Sequence, residues 1–288
     1  GMMTHMALTA TGRWFHTERG RAISIVVLGH QGGEATIPLA FSIITLAYGV
    51  QAGWSAAALV LLVFGLPFCY WAYSKPREPH LASAKSARPF RQVRSWTRPE
   101  VVRDPVFWVL LTGVLAPGFI GTTIFYHQDY MATLNSWPPQ LFARSLVVLS
   151  VTTVAFALLT GSIVDRFGAI PVLPFSLLPL STACFVLSLS GPPVMLYVAM
   201  VLLGVSYGVS STLFGSLWPE VYGTAHLGSI RSVTVSAVVI ATAAGPGLTG
   251  TMIDQGVSLP KQMLYLGGYC LLATMAMSVA AICLRRRN

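Results

Sequence analysis

Side chains able to bind a polar solute or move a proton gather at three places in this chain. His30, Gln31 and Glu34 lie inside an apolar stretch, and the four-residue spacing of His30 and Glu34 puts both on one helix face. Pro38, one turn further on, has no N–H to donate to the Glu34 carbonyl. An imidazole and a carboxylate so placed can handle a substrate or a proton; alternatively Glu34 forms a structural ion pair with a residue in helices missing from this chain. Two ligands at this spacing, without another Cys, His or carboxylate nearby, fall short of a metal site, and none is expected. Phe125, Tyr126, His127, Gln128 and Asp129 form a second, amphipathic cluster. It reads either as an interfacial aromatic anchor or as an outer gate that touches substrate. The third place is the polar turn Gly161-Ser162-Ile163-Val164-Asp165-Arg166-Phe167-Gly168, which joins two apolar stretches.

The elements that carry these residues must lie in lipid. Of 288 residues, 54% are hydrophobic and 9% charged, with a mean hydropathy of +0.68. A soluble domain keeps about 25% of its residues charged, so a water-soluble globule is excluded. Spans of roughly 20 apolar residues are expected at 21–47, 54–74, 105–130, 142–164, 169–190, 194–217, 231–253 and 262–284, with residues 1–12 ending a partial one. At about 1.5 Å per residue, Glu34 falls near mid-bilayer and Phe125 to Asp129 near the outer boundary. An ionisable group at such depth normally faces a cavity or a partner.

The +9 formal charge would suggest nucleic acid in a soluble protein, but topology explains it here. Alternate connections carry 16 and 2 of the 18 basic residues, the two being Arg144 and Lys261. This positive-inside asymmetry predicts a multi-pass protein whose basic connections and C-terminus are cytoplasmic, with no nucleic-acid partner. Residues 75–104 hold eight basic and three acidic residues, four prolines and no apolar periodicity. They read as a linker between an N-terminal bundle, 1–74, and a six-helix bundle, 105–288. Cys69, Cys184, Cys270 and Cys283 are scattered through apolar stretches and read as packing residues.

Small residues recur every fourth position at Gly204, Gly208 and Thr212, and again at Ala237, Ala241 and Gly245. These faces let helix backbones approach closely. Pro117-Gly118 and Gly245-Pro246-Gly247 interrupt the backbone ladder inside spans, tolerable where neighbours satisfy the freed groups.

The Gly-x-x-x-Asp-Arg-x-Gly turn at 161–168 resembles the motif of the major facilitator superfamily, which recurs there in weaker form between the eighth and ninth spans. The family's basic pair after the last glycine is replaced by Ala169 and Ile170, as suits the weaker copy. A long basic linker follows the sixth span in that family, which looks like 75–104. The count then represents nine of twelve spans, without the first three, so that a pathway between two bundles would be incomplete in this chain. Gly12 to Phe15 with Arg19-Gly20-Arg21, and Trp218 to Gly223 with Arg231, look like the loops after the fourth and tenth spans. The nearest likeness is to bacterial members loosely grouped with monocarboxylate-type transporters.

The resemblance implies an all-α membrane protein of the bacterial inner membrane: a secondary transporter, symporter or antiporter, that moves a small solute, such as an organic anion, by alternating access. A coupling ion and the lipid bilayer are the implied partners, and no cofactor is expected. Substrate or ion contacts are sought at His30, Gln31, Glu34, Phe125, Tyr126, His127 and Gln128. A cytoplasmic gate is sought at Gly161, Asp165, Arg166, Gly168, Arg21, Glu220 and Arg231, with Asp165 near the start of the 21–47 span and Arg166 paired with Glu220. An integral-membrane enzyme using His30 and Glu34, or a passive channel, is the alternative. No P-loop appears, since Gly29, Gly32 and Gly33 lack its spacing.

Overall fold

The computed structural model describes residues 7–11, 15, 19–74, 94–138 and 141–287; within the first long helix the side chains of Arg19, Glu34 and Pro38 are outside that description. Residues 7–11 are helical. There follow α1 (Arg19–Tyr48), α2 (Val50–Val60), a π-helical turn (Leu61–Gly65), α3 (Leu66–Tyr73), α4 (Arg98–Arg103), α5 (Pro105–Tyr126) and α6 (Gln128–Leu134). Then come α7 (Leu141–Phe167), a 3-10 turn (Ile170–Phe175), α8 (Leu178–Ser188), α9 (Val194–Tyr222), α10 (Leu227–Asp254) and α11 (Leu259–Arg287).

Among the described residues, seven helical segments are long and apolar enough to cross a membrane: 50–72, 105–126, 144–167, 170–188, 194–222, 227–254 and 259–287. α1 has the length, 30 residues, but the polar run from His30 to Glu34 interrupts its apolar character. Helices suit this setting because each span satisfies its own backbone groups where water is absent.

Contacts between spans follow the small residues. At Gly204 a Cβ would stand 2.8 Å from the Leu149 carbonyl oxygen and 2.7 Å from the Thr152 Cβ; at Gly208 it would stand 2.5 Å from the Thr153 oxygen. Thr212 continues the stripe and donates to the Ala157 carbonyl at 3.2 Å. α9 and α7 therefore meet nearly backbone to backbone. Gly245 packs α10 against the Phe119 carbonyl of α5 in the same way.

The proline-interrupted spans remain continuous helices, and two of the freed carbonyls find donors on a neighbouring helix. Pro246 cannot donate to the Thr242 carbonyl, which instead lies 3.0 Å from the Thr122 hydroxyl of α5, a donor it shares with the Gly118 carbonyl at 2.8 Å. Pro219 likewise frees the Gly215 carbonyl, which accepts from the Arg231 guanidinium at 2.6 Å. This corrects one expectation: Trp218 to Tyr222 is not a loop but the last turn of α9, which ends at Gly223 with φ +78°. A second correction concerns the 105–130 span. Its helix stops at Tyr126, because His127 leaves helical geometry and its Nδ1 lies 3.0 Å from the Thr123 carbonyl oxygen.

The described end of the basic linker is built onto the bundle that follows. Glu100 Oε2 accepts from the Thr97 backbone N–H at 2.7 Å and from its hydroxyl at 2.8 Å, closing the first turn of α4. Trp96 donates its N–H to the Tyr222 carbonyl at 3.0 Å and sets its ring edge against that tyrosine. Residues 75–93 lie outside the described residues. The main apolar core runs from Val101 to Leu284, while Ile23, Val27 and Ala157 form a separate small cluster with Leu8 against it.

Candidate functional site

Asp165 ends a helix but serves another one. It lies in the last turn of α7, four residues after Gly161, and its carboxylate reaches the start of α1. Oδ1 accepts from the Gly20 N–H at 2.6 Å and Oδ2 from the Arg21 N–H at 3.0 Å. The first N–H groups of a helix have no partner within it and carry the positive end of its dipole, so a carboxylate is the fitting cap. Here the cap comes from 145 residues away.

Glycine makes that reach feasible. A Cβ on Gly20 would collide with the Gly161 carbonyl, and one on Gly161 would stand 2.8 Å from both the Gly20 oxygen and the Ser24 hydroxyl. Beyond this point Ile23, Ser24 and Val27 of α1 are all buried, with Ile23 against Gly215 of α9. The junction therefore joins α1, α7 and α9 at the end of the molecule where the arginines cluster. Past Val27, none of the described side chains of α1 is buried, and a Cβ on Gly29 or Gly32 would meet nothing within 4 Å.

Glu220 repeats the device on the other side of the turn. Gly168, at φ +86°, reverses the chain after α7, and the Glu220 carboxylate accepts from the Ala169 N–H at 2.7 Å and the Ile170 N–H at 3.4 Å. Among the described residues no ion pair joins it to Arg166, which corrects that expectation. The amides are fixed by the turn, whereas Arg166 is exposed, with its guanidinium 5.1 Å from the centre of the Phe167 ring. Arg21 contributes its backbone N–H; its side chain is exposed. Arg231 is 5% exposed, its charge taken inside to meet the Gly215 carbonyl.

The other sequence candidates lie apart from this junction. His30 is exposed and Gln31 half-buried on α1, and the Glu34 side chain is outside the described residues. At the far end of α5, Tyr126 is 74% exposed and stands edge-on to the His127 ring at 5.2 Å. Phe125 packs against the main core, and Gln128 opens α6.

A polar network absent from the sequence reading sits beneath the core. Asp104 caps α5 by accepting from the Val106 N–H at 3.1 Å. It also accepts two bonds from Arg287, at 2.8 and 3.1 Å, and one from the Tyr222 hydroxyl at 3.1 Å. Burial raises the carboxyl pKa, but the Arg287 bonds, the Val106 amide and the Tyr222 hydroxyl outweigh it and hold Asp104 below the usual carboxylate value. The run of Lys and Arg around Asp104 hides it in the sequence; its place before Pro105, a helix-opening pair, was the available signal.

Comparison with curated proteins finds no match. The family model of the Major Facilitator Superfamily matches residues 1–246. With apolar helices packed through small residues and a glycine-lined acidic turn capping a distant helix, the chain belongs to the major facilitator superfamily, a family of transporters and not of enzymes.

Proposed function

We propose that the protein is a secondary transporter of a small solute, an organic anion such as a monocarboxylate, and that the α1–α7–α9 junction is its closed cytoplasmic gate. The observation that carries this reading is the Asp165 carboxylate on the Gly20 and Arg21 amides. Such a cap joins elements on the two sides of the linker and is lost if they separate, so it favours one end being shut. The positive-inside asymmetry supports a cytoplasmic position for this end and for the C-terminus, in a bacterial inner membrane. Residues 1–74 and 105–288 then belong to the two bodies that rock about a central pathway, with 75–104 as their connection. His30, Gln31 and Glu34 on one side of it, and Phe125 to Gln128 near its outer mouth, are the groups for solute and coupling ion, most simply a proton.

Thiol access tests the gate. With Cys69 and Cys283 replaced by serine, Val27→Cys should react slowly with a thiol probe applied from the basic end, because Val27 is 4% exposed. Adding Asp165→Asn, which removes the charge and one acceptor oxygen, should raise the rate several-fold. An unchanged rate would sink the gate. Uptake of labelled short-chain monocarboxylates that a protonophore collapses, and that Glu34→Gln abolishes, is the result expected for the transport reading; uptake that persists in both conditions would overturn the proton coupling.

A further inference from the structure

We propose that the outer face where α5 and α11 meet, at the basic end, binds the headgroup of an anionic phospholipid. Two acidic groups at this corner are already answered: Glu100 by Arg94 and Asp104 by Arg287. Arg98, Arg103, Arg285 and Arg286 are all exposed and have no acidic partner among the described residues. The Asp104 to Arg287 bonds fasten the end of α11 to the start of α5, so Arg103 and Arg286 each stand next in sequence to a member of that ion pair. These four exposed cations find no carboxylate partner among the described residues, so they are open to an anion.

The surface above them says what kind of molecule carries that charge. Leu272, Met275, Val279 and Ile282 form one exposed stripe along α11, each more than half exposed, and Arg286 is the next residue on that face. On α5, Trp108 is 50% exposed and donates its indole N–H to the Val102 carbonyl at 2.8 Å, so its polar atom is satisfied and its ring is free to meet acyl chains. Tyr269 of α11 donates to the Thr112 carbonyl of α5 at 3.0 Å, closing the two helices together above this point. In a bilayer this stripe meets acyl chains, so a lipid stands next to the arginines without any further partner. A phospholipid covers both parts, with its phosphate between the arginines and its chains along Trp108 and the α11 stripe.

Native mass spectrometry of the whole protein, with cardiolipin, phosphatidylglycerol or phosphatidylcholine added to the detergent, tests the assignment. The protein should retain an anionic lipid in preference to phosphatidylcholine. Arg103→Gln with Arg286→Gln should weaken that retention roughly thirtyfold, the worth of two surface cations. Arg21→Gln with Arg166→Gln, which removes the same charge at the same end but away from α5 and α11, should leave it unchanged. Equal losses in the two double variants, or no preference over phosphatidylcholine, would overturn the site. A second readout does not need those variants: bromine-labelled phosphatidylglycerol should quench Trp108, taken as the difference between wild type and Trp108→Phe, more than bromine-labelled phosphatidylcholine does. Equal quenching by both lipids would also count against it.

Discussion

Arg231 donates at 2.6 Å to the carbonyl of Gly215, the one backbone acceptor that Pro219, four residues later, leaves without its helical donor. A buried cation of α10 thus repairs a gap in α9, at the same glycine where Ile23 of α1 would press on an added Cβ. Removing the donor should leave a buried carbonyl unsatisfied, at about 1–3 kcal/mol.

That gives a double-mutant test. Arg231→Gln should lower the melting temperature in detergent, and Pro219→Ala, by restoring an N–H to the Gly215 carbonyl, should recover part of the loss. If the two changes add without coupling, the repair account is wrong.

Thr122 and Pro246 form the same pair at milder stakes. Thr122→Val keeps the shape but removes the hydroxyl that serves the Thr242 carbonyl. It should cost about 1 kcal/mol alone and markedly less in a Pro246→Ala background, read by thermal unfolding of the purified protein.

The close approach of α1 and α7 makes Gly161→Ala a different kind of probe from Asp165→Asn. The added methyl would meet the Gly20 carbonyl oxygen at 2.8 Å, so the helices must separate although every charge is kept. Val27→Cys should then become several-fold more reactive from the basic end, and burial at the junction should fall. Slow labelling in this variant would show that the contact tolerates the extra volume.

Stability should fall at low pH in a way traceable to Asp104. Its folded pKa is depressed below the ordinary value of 3.8, so the folded state holds its proton less readily than the unfolded one. The contribution is present in full above that ordinary value and disappears as pH drops from it through the folded pKa. Asp104→Asn keeps a helix-capping side chain and loses the charge. With Arg287 43% exposed, the cost near neutral pH should be on the order of 1–2 kcal/mol. The variant should show a flatter stability profile below about pH 4; a profile parallel to wild type would assign the acid sensitivity elsewhere.

Composition and spacing were enough to define the elements of this protein. Apolar stretches of span length must be helices in lipid, since no other open structure satisfies its backbone there, and most of the expected spans match to within a few residues. The four-residue spacing of Gly204, Gly208 and Thr212 announced a close helix contact because it places small side chains on one face. The Gly161 to Gly168 turn likewise marked Asp165. Tertiary structure alone decided the partners, because each polar group has several acceptors or donors within reach of its own chain segment and the choice among them belongs to distant backbone. Glu220 met the Ala169 and Ile170 amides instead of Arg166 because a turn held those donors in place. Arg231 went inward because Pro219 had opened a carbonyl to it. Asp104 drew Arg287 from 183 residues away, a pairing that exists only once α5 and α11 lie side by side.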